Sequence, residues 1–502
     1  MGAAVPPPQG PLVGLRVIDL TRVYAGPSAT QILADHGADV IKIEPPAGDE
    51  TRDWGAKLPG DRSSYFNGLN RNKRAIALDL SKEPAKALLL RMLDGADVLV
   101  HNFKLGTLIK WGLGYADVLS QRYPRLIQCT ITGFGIEGPL AGMPGYDVVV
   151  QGFTGLASIN GEAGSDGTKL GLPLIDHATG LSAVNAILMA LYERERSGIG
   201  QHVGVTLYNT GLVMTHPASA AWMATGKVPR PTGNAEAWTA PYGAYPCEDG
   251  HVFTGAGNDR TFAKLCHALG APEIAADPRF ASNAERVANR AALDEALGTC
   301  TRQFKAEPLA MQLLAAGIAA GPFLNIEQAF THPQTAANGM FVDTPDYRGA
   351  GLPMRFLRTP GAIRRGPPVF GAHTDELLDE FGVGDEERQR LEPGFLAYVA
   401  RQGQAVQPGH LEVRDHHLDV FGKFPDEVDP VRPPLGQQDF IPVPFEDLLQ
   451  GYPDAFLVVH DQNLHDALHL LHGRLMVNVA PSPTSLLTRI SPPCLWTISW
   501  EI

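Results

Sequence analysis

From residue 15 onward, short aliphatic runs alternate with stretches whose apolar positions recur every three or four residues. Leu15-Arg16-Val17-Ile18-Asp19-Leu20 reads as a buried strand, followed by a Gly26-Pro27 turn and a helix over 28–36. Ala38-Asp39-Val40-Ile41-Lys42-Ile43-Glu44 is the next strand, and Ala75-Ile76-Ala77-Leu78-Asp79-Leu80 another. A helix over 83–93 and strands at 97–100 and 125–131 extend the alternation. Strands and helices at this spacing imply an α/β fold, a doubly wound and mostly parallel sheet. A long amphipathic run over 181–191 ends in Glu193-Arg194-Glu195-Arg196, a solvated helix end, and Ser197-Gly198 supplies a C-terminal cap.

Between 231 and 246 the chain turns to Pro, Gly, Ala and aromatics, the character of a connector. A strand at 251–254 then leads through Gly255-Ala256-Gly257-Asn258 into helical patterns near 260–269, 283–300 and 308–316, a smaller α-rich second domain. The glycine pair reads as a strand-to-helix turn, with a tight turn beside a ligand as the alternative. Short strands follow residue 340, then Pro367-Pro368-Val369-Phe370-Gly371-Ala372-His373-Thr374 and a short acidic helix. The segment 385–502 differs in character. Seven of the 16 histidines and two of the six tryptophans lie there, Pro is frequent and helical patterns are sparse, so it reads as an appended module or a loosely packed extension. At 502 residues the chain exceeds one ordinary core, and two or three domains are expected.

Composition narrows the class. Apolar residues make up 44% and charged residues 19%, as in a soluble globular protein. No uninterrupted apolar segment reads as a membrane span, and the Pro-rich start is no signal peptide. Met1-Gly2 suggests myristoylation, but Pro6 stands where that motif wants Ser or Thr. Five scattered cysteines fit reduced thiols in a cytoplasmic protein better than a disulfide framework or a zinc site. A net charge of −13 argues against nucleic acid as partner, so an anionic ligand would need a local basic patch. Asn70-Arg71-Asn72-Lys73-Arg74, at the mouth of a strand, is such a patch, or else a loop with incidental charge.

The candidate chemistry centres on Asp176. It follows Leu172-Pro173-Leu174-Ile175 and precedes a small-residue helix start, so its carboxylate is expected to be partly withdrawn from water, where it must be paired, protonated or used. The alternative is an aspartate that only caps the helix. Neighbouring His177 reads as a capping or packing residue. No phosphate loop, dinucleotide fingerprint, nucleophile elbow or zincin motif occurs. His465, His469 and His472 fall on one helical face, but the interleaved leucines make an ordinary amphipathic helix the better reading than a metal site.

Taken together, Asp19-Leu20-Thr21-Arg22-Val23-Tyr24-Ala25-Gly26-Pro27, the Asn70 to Arg74 patch, His101-Asn102-Phe103, Gly145-Tyr146-Asp147, the Asp176 segment and the 367–374 stretch closely resemble the class III CoA-transferases, the CaiB/BaiF family. The resemblance covers about residues 10–384. It implies an interlocked homodimer, with a large CoA-binding domain over 10–225 completed by 340–384 and a small domain over 226–339. It implies acyl-CoA and carboxylic acid substrates, coenzyme A thioester as substrate, and no prosthetic group or metal. Asp176 matches the catalytic aspartate, which passes through an anhydride and a CoA thioester. Matching CoA contacts are Tyr24, Ala25, Leu78, Asp79, Leu80, Ser81, Asn102, Phe103, Lys104, Lys110, Pro144, Gly145, Tyr146 and Asp147. Arg71, Lys73 and Arg74 are added from charge alone, for the phosphates.

Three departures point away from the oxalate-type enzymes of the family. Pro45 stands where those have an arginine, Tyr24 where they have a glutamine, and their four-glycine loop shrinks to Gly255-Ala256-Gly257. The pattern is more like the succinyl-CoA:dicarboxylate branch. An α-methylacyl-CoA racemase is the alternative, but that branch draws its second base from Gly-His-Asp where this chain has Gly145-Tyr146-Asp147. A non-catalytic CoA-binding or scaffold protein is a further alternative.

Overall fold

The computed structural model describes residues 7, 9–59 and 62–391, together with two short strands beyond them. The chain divides into two compact units, Met1–Glu387 and Arg388–Ile502. In the second, Leu457–Val458 pairs in parallel with Val477–Asn478. The rest of the 385–502 extension past residue 391, including His465, His469 and His472, lies outside the described residues.

The first unit is built on six parallel strands. They are β1 (Arg16–Asp19), β2 (Asp39–Glu44), β5 (Arg74–Ala77), β6 (Val98–His101), β7 (Ile127–Thr132) and β8 (His202–Thr206), while β3 (Lys57–Leu58) and β4 (Arg62–Ser63) form a small antiparallel pair apart from them. Their order is β5-β2-β1-β6-β7-β8, every neighbouring pair running parallel. Parallel strands are covered on both faces, so they read as near-continuous aliphatic runs, and Val17, Ile18, Val40, Ile41, Leu99 and Val100 are all buried here. The order reverses direction between β1 and β6. In such sheets that switch point leaves a crevice beyond the carboxyl ends of the two strands, where ligands bind.

Two helices cover this crevice side of the core, Ala25–Asp35 after β1 and Leu174–Ser197 before β8. They pack closely because Gly180 has no side chain. A Cβ there would lie 2.2 Å from Ser28 Oγ and 2.8 Å from the Ala25 carbonyl oxygen. The Leu174–Ser197 helix is, by length and composition, long and apolar enough to cross a membrane, which the sequence reading did not expect. One face, with Ile175, Ala183, Val184 and Ile187, is buried in the core, while Leu181, Leu188, Met189 and Tyr192 remain exposed.

A second core lies in residues 240–318. Here β9 (Tyr242–Cys247), β10 (Gly250–Gly255) and β11 (Ala319–Pro322) make an antiparallel sheet packed by Phe262, Leu265, Leu293, Leu297, Leu309 and Leu313. The region is α-rich as expected, and its helices cover a three-stranded sheet rather than a single strand. Asn258 caps the following helix by accepting the Thr261 N–H at 2.9 Å, so the Gly255–Asn258 stretch forms a strand-to-helix turn. Beyond residue 340 the chain returns to β5. The Asn72 side-chain Oδ1 accepts the Arg364 N–H at 2.7 Å, and the His373 N–H donates to the Ala75 carbonyl at 3.0 Å.

Candidate active site

A cleft enclosing about 220 Å³ opens at the switch point. It brings together Tyr24, Ala25, Asn102, Phe103, Lys104, Pro144, Gly145, Tyr146 and Asp176. These come from the turn after β1, the loop after β6, the segment before the Asp147–Phe153 helix, and the start of the Leu174–Ser197 helix.

Asp176 is the third residue of its helix, not the cap. Pro173 holds the cap position and contributes no side-chain bond. The Asp176 N–H is instead satisfied by Asp147 Oδ2 at 3.0 Å. Asp147 is buried, and its Oδ1 accepts from Gln151 Nε2 at 2.5 Å, while Gln151 Oε1 accepts the Leu170 N–H at 2.8 Å. This chain of bonds fixes the strand of loop that delivers Asp176 to the cleft. Burial, and then the negative charge of Asp147, push the Asp176 carboxyl up to about 7. The helix N-terminus acts in the opposite sense, favouring the carboxylate, and is outweighed. Tyr24 lies close enough that burial and the charges of Asp176 and Asp147 also raise its phenol. Its ring meets Tyr65 edge-on at 5.8 Å and the exposed His177 at 6.3 Å, and Trp54 stacks edge-on against Tyr65 at 5.3 Å.

Beside it, the helix Ala25–Asp35 begins without a side-chain cap and without an acid in its first turn. Among the described residues the N–H groups of Ala25 and Gly26 have no acceptor, as expected of a first helical turn. The turn leading into it is held from below. Asp19 Oδ1 accepts from the Thr21 N–H (2.9 Å) and hydroxyl (2.5 Å), and Lys42 Nζ donates to the Thr21 carbonyl at 2.8 Å and Asp49 at 3.0 Å. Asn102 reaches across the switch point, accepting the Arg22 N–H at 3.0 Å and donating to its carbonyl at 2.7 Å. Gly145 is required where it lies against Gly133, since a Cβ on it would fall 2.8 Å from the Gly133 Cα.

The basic patch is paired with acids of the fold. Lys73 is fully buried and bonded to Asp19 (3.0 Å), the Pro27 carbonyl (2.9 Å) and Asn70 (2.8 Å). Burial lowers its ammonium to about 8 despite the Asp19 charge. Arg71 pairs with Asp35 at 2.7 Å and donates to the Tyr347 hydroxyl and Ala350 carbonyl, both at 2.6 Å. Arg74 pairs with Asp39 (2.7 Å), Glu376 (2.9 Å) and Glu380 (2.5 Å). None of the three lines the cleft; their charges are spent on carboxylates inside the fold.

Of the remaining candidates, Leu78 and Leu80 are buried, Asp79 accepts from the Ser81 N–H (3.0 Å) and hydroxyl (2.6 Å), and Lys110 is exposed at the end of the Thr107–Lys110 helix; none lines the cleft. The cations that do line it are Lys104 and Arg22. Arg22 was read only as part of a motif, and Glu50, Phe134 and Met143 also enter the lining unannounced. Among the described residues no cluster of metal-ligating side chains occurs.

Comparison with known proteins agrees with this geometry. The model of CoA-transferase family III matches residues 12–374. Over 382 residues the chain is 39% identical to succinate–glutarate CoA-transferase of Agrobacterium fabrum, covering 74% of this chain and 95% of the relative. It is 40% identical to acetyl-CoA:oxalate CoA-transferase of Acetobacter aceti, covering 75% and 97%. A CaiB/BaiF family protein from Brucella suis superposes with a TM-score of 0.69 at 40% identity, over 74% of this chain and all of that one. The chain therefore belongs to CoA-transferase family III, enzymes whose substrates are CoA thioesters.

Proposed function

We propose that the protein moves CoA from succinyl-CoA or a similar donor to a dicarboxylic acid through covalent intermediates on Asp176. The observation that carries this reading is the carboxyl pushed up to about 7 in a cleft that is also lined by an uncapped helix start. A desolvated carboxylate is a better nucleophile than a hydrated one, and it remains partly ionised near neutrality. It attacks the donor carbonyl, the C–S bond breaks, and CoA thiolate leaves from a mixed anhydride. The thiolate attacks the Asp176 carbonyl, expelling the donor acid and forming an aspartyl-CoA thioester. The acceptor carboxylate displaces the thiolate again. The thiolate then attacks the acyl carbonyl of the second anhydride, releasing new acyl-CoA and free Asp176. Each tetrahedral step develops an oxyanion, and the N–H groups at the start of the Ala25–Asp35 helix suit it.

In this reading Tyr24, Asn102, Phe103, Pro144, Gly145 and Tyr146 line the path of the CoA arm, and Arg22 and Lys104 meet its phosphates in place of Arg71, Lys73 and Arg74. The relatives' acceptors include both glutarate and oxalate, so the shared chemistry is a dicarboxylate; Tyr24 and Pro45 favour the longer acids. The exposed apolar stripe Leu181, Leu188, Met189 and Tyr192, with Val213, Trp222 and Met223 exposed nearby in sequence, supports the interlocked homodimer.

The test is incubation with succinyl-CoA and a panel of oxalate, glutarate and monocarboxylates, following exchange of CoA esters. Mass spectrometry of trapped enzyme is expected to place CoA on the peptide containing Asp176. Full activity in Asp176→Ala would overturn the mechanism.

A further inference from the structure

Val23 adopts a φ of +71°. Among the described residues only Val23 and Asn72 are non-glycine residues in the left-handed region. Asparagine tolerates that region through its short polar side chain, but a β-branched residue is a genuine outlier there. The left-handed conformation is disfavoured by roughly a factor of 5 to 30 for an ordinary residue, so the surroundings must impose it. The surroundings of Val23 do so from both sides. Asp49 Oδ1 accepts the Val23 N–H at 3.3 Å, and Asp49 Oδ2 is paired with buried Lys42 at 3.0 Å. The preceding residue, Arg22, has both backbone groups bonded to the Asn102 side chain. The following residue, Tyr24, is the cap of the Ala25–Asp35 helix whose first turn lines the cleft with Asp176.

We infer that Asp49 and Asn102 are positioning residues that hold Val23 in its left-handed conformation and thereby aim the Tyr24–Ala25 backbone at the carbonyl reacting on Asp176. The inference rests on the transferase reading above. Releasing either tether lets Val23 relax to negative φ, which swings the next peptide plane away from the reacting atoms. A glycine at this position reaches positive φ without steric penalty, so it needs the tethers less.

The test is a double-mutant cycle read as the single-turnover rate of CoA-adduct formation on Asp176 at saturating succinyl-CoA, with melting temperature measured alongside. Asn102→Ala is expected to slow adduct formation about tenfold in the Val23 protein and no more than about twofold in the Val23→Gly background. The rate and melting temperature of Val23→Gly alone are the reference for its background, so only the ratio of the two losses enters. Asp49→Asn, run on the same two backgrounds, should show the same rescue. A purely structural role for either residue would give equal losses in both backgrounds. Equal losses, or full speed in Asn102→Ala, overturn the inference, and the half-exposed Asn102 pair decides it alone if Asp49→Asn does not fold. No adduct in the unaltered protein overturns the transferase reading and this inference with it, whereas an adduct with equal losses overturns this inference only.

Discussion

Replacing Asp147 with asparagine separates the two influences on Asp176. Burial stays, and the neighbouring charge goes. The Asp176 amide is 3.0 Å from Asp147 Oδ2, so the two carboxyl groups lie roughly 5–6 Å apart given ordinary backbone dimensions. Burial is the larger of the two causes that carry the carboxyl from 3.8 to about 7, so the Asp147 charge supplies less than half of that rise, about one pH unit or ~1.4 kcal/mol. In the proposed mechanism Asp176 attacks as the carboxylate, and with its carboxyl at about 7 only about a tenth is ionised at pH 6. Removing the Asp147 charge favours ionisation, so the acid limb of kcat/KM is expected to move about one pH unit toward acid. The plateau at high pH should fall a few-fold, because an asparagine amide cannot satisfy both the Asp176 N–H and Gln151 Nε2 as the carboxylate does. The assay is kcat/KM for succinyl-CoA with glutarate from about pH 5 to 9, following CoA esters by chromatography. An acid limb that stays in place, or moves toward alkali, would refute the reasoning.

Asp176→Asn is expected to form no CoA adduct and yet to unfold at higher temperature at pH 8. Its folded-state carboxyl lies above the ordinary unfolded value, so the stability present below about pH 4 is lost as pH rises through about 7; the asparagine variant should gain about 1–2 kcal/mol at pH 8 and nothing near pH 4, by thermal melts. Gly180→Ala places a Cβ 2.2 Å from Ser28 Oγ and 2.8 Å from a backbone carbonyl, so it should cost about 1–3 kcal/mol and lower activity by prising apart the two helices beside Asp176, which melts and kcat would report. Lys73→Met leaves Asp19 buried and unpaired and should cost about 3–5 kcal/mol in denaturant unfolding, whereas Lys104→Ala should raise KM for succinyl-CoA with an unchanged melt; the reverse pattern would return the phosphate role to the basic patch.

The parallel sheet was legible because its strands are buried on both faces and therefore read as aliphatic runs. β8 was not, since His202-Val203-Gly204-Val205-Thr206 lies at the sheet edge, is exposed at His202 and Gly204 and has no run of aliphatic residues. The helix expected from residue 28 begins at Ala25, for a local reason. Gly26-Pro27 looks like a turn, but proline is tolerated in a first helical turn, and Gly26 lets the helix start against Thr21, where a Cβ would come within 2.4 Å of its side chain. Asp176 was legible as an acid pressed into an apolar segment. Its link to Asp147 was not, because the bond joins residues 29 positions apart. The partners of the cations were hidden for the same reason: the acids that pair with Lys73, Arg71 and Arg74 lie 54, 36 and 35 positions earlier, and a run of charge carries no sign of what faces it.

The placing of those charges has its own logic. A buried ion pair pays for its desolvation about as much as it gains, so Lys73 with Asp19 and Lys42 with Asp49 are a poor source of stability compared with apolar residues of the same size. What they supply is direction. Each ammonium also donates to a backbone carbonyl of the 21–27 segment, Lys42 to Thr21 in the turn and Lys73 to Pro27 in the first turn of the helix, and each carboxylate accepts an N–H from the turn, Asp19 from Thr21 and Asp49 from Val23. Apolar packing would fill the volume beneath the turn without fixing its peptide planes, because dispersion has no directional preference. Four buried charges thus hold both ends of the segment that lines the cleft with Asp176, and Lys73, alone of the basic patch, takes part in that hold from behind the cleft wall.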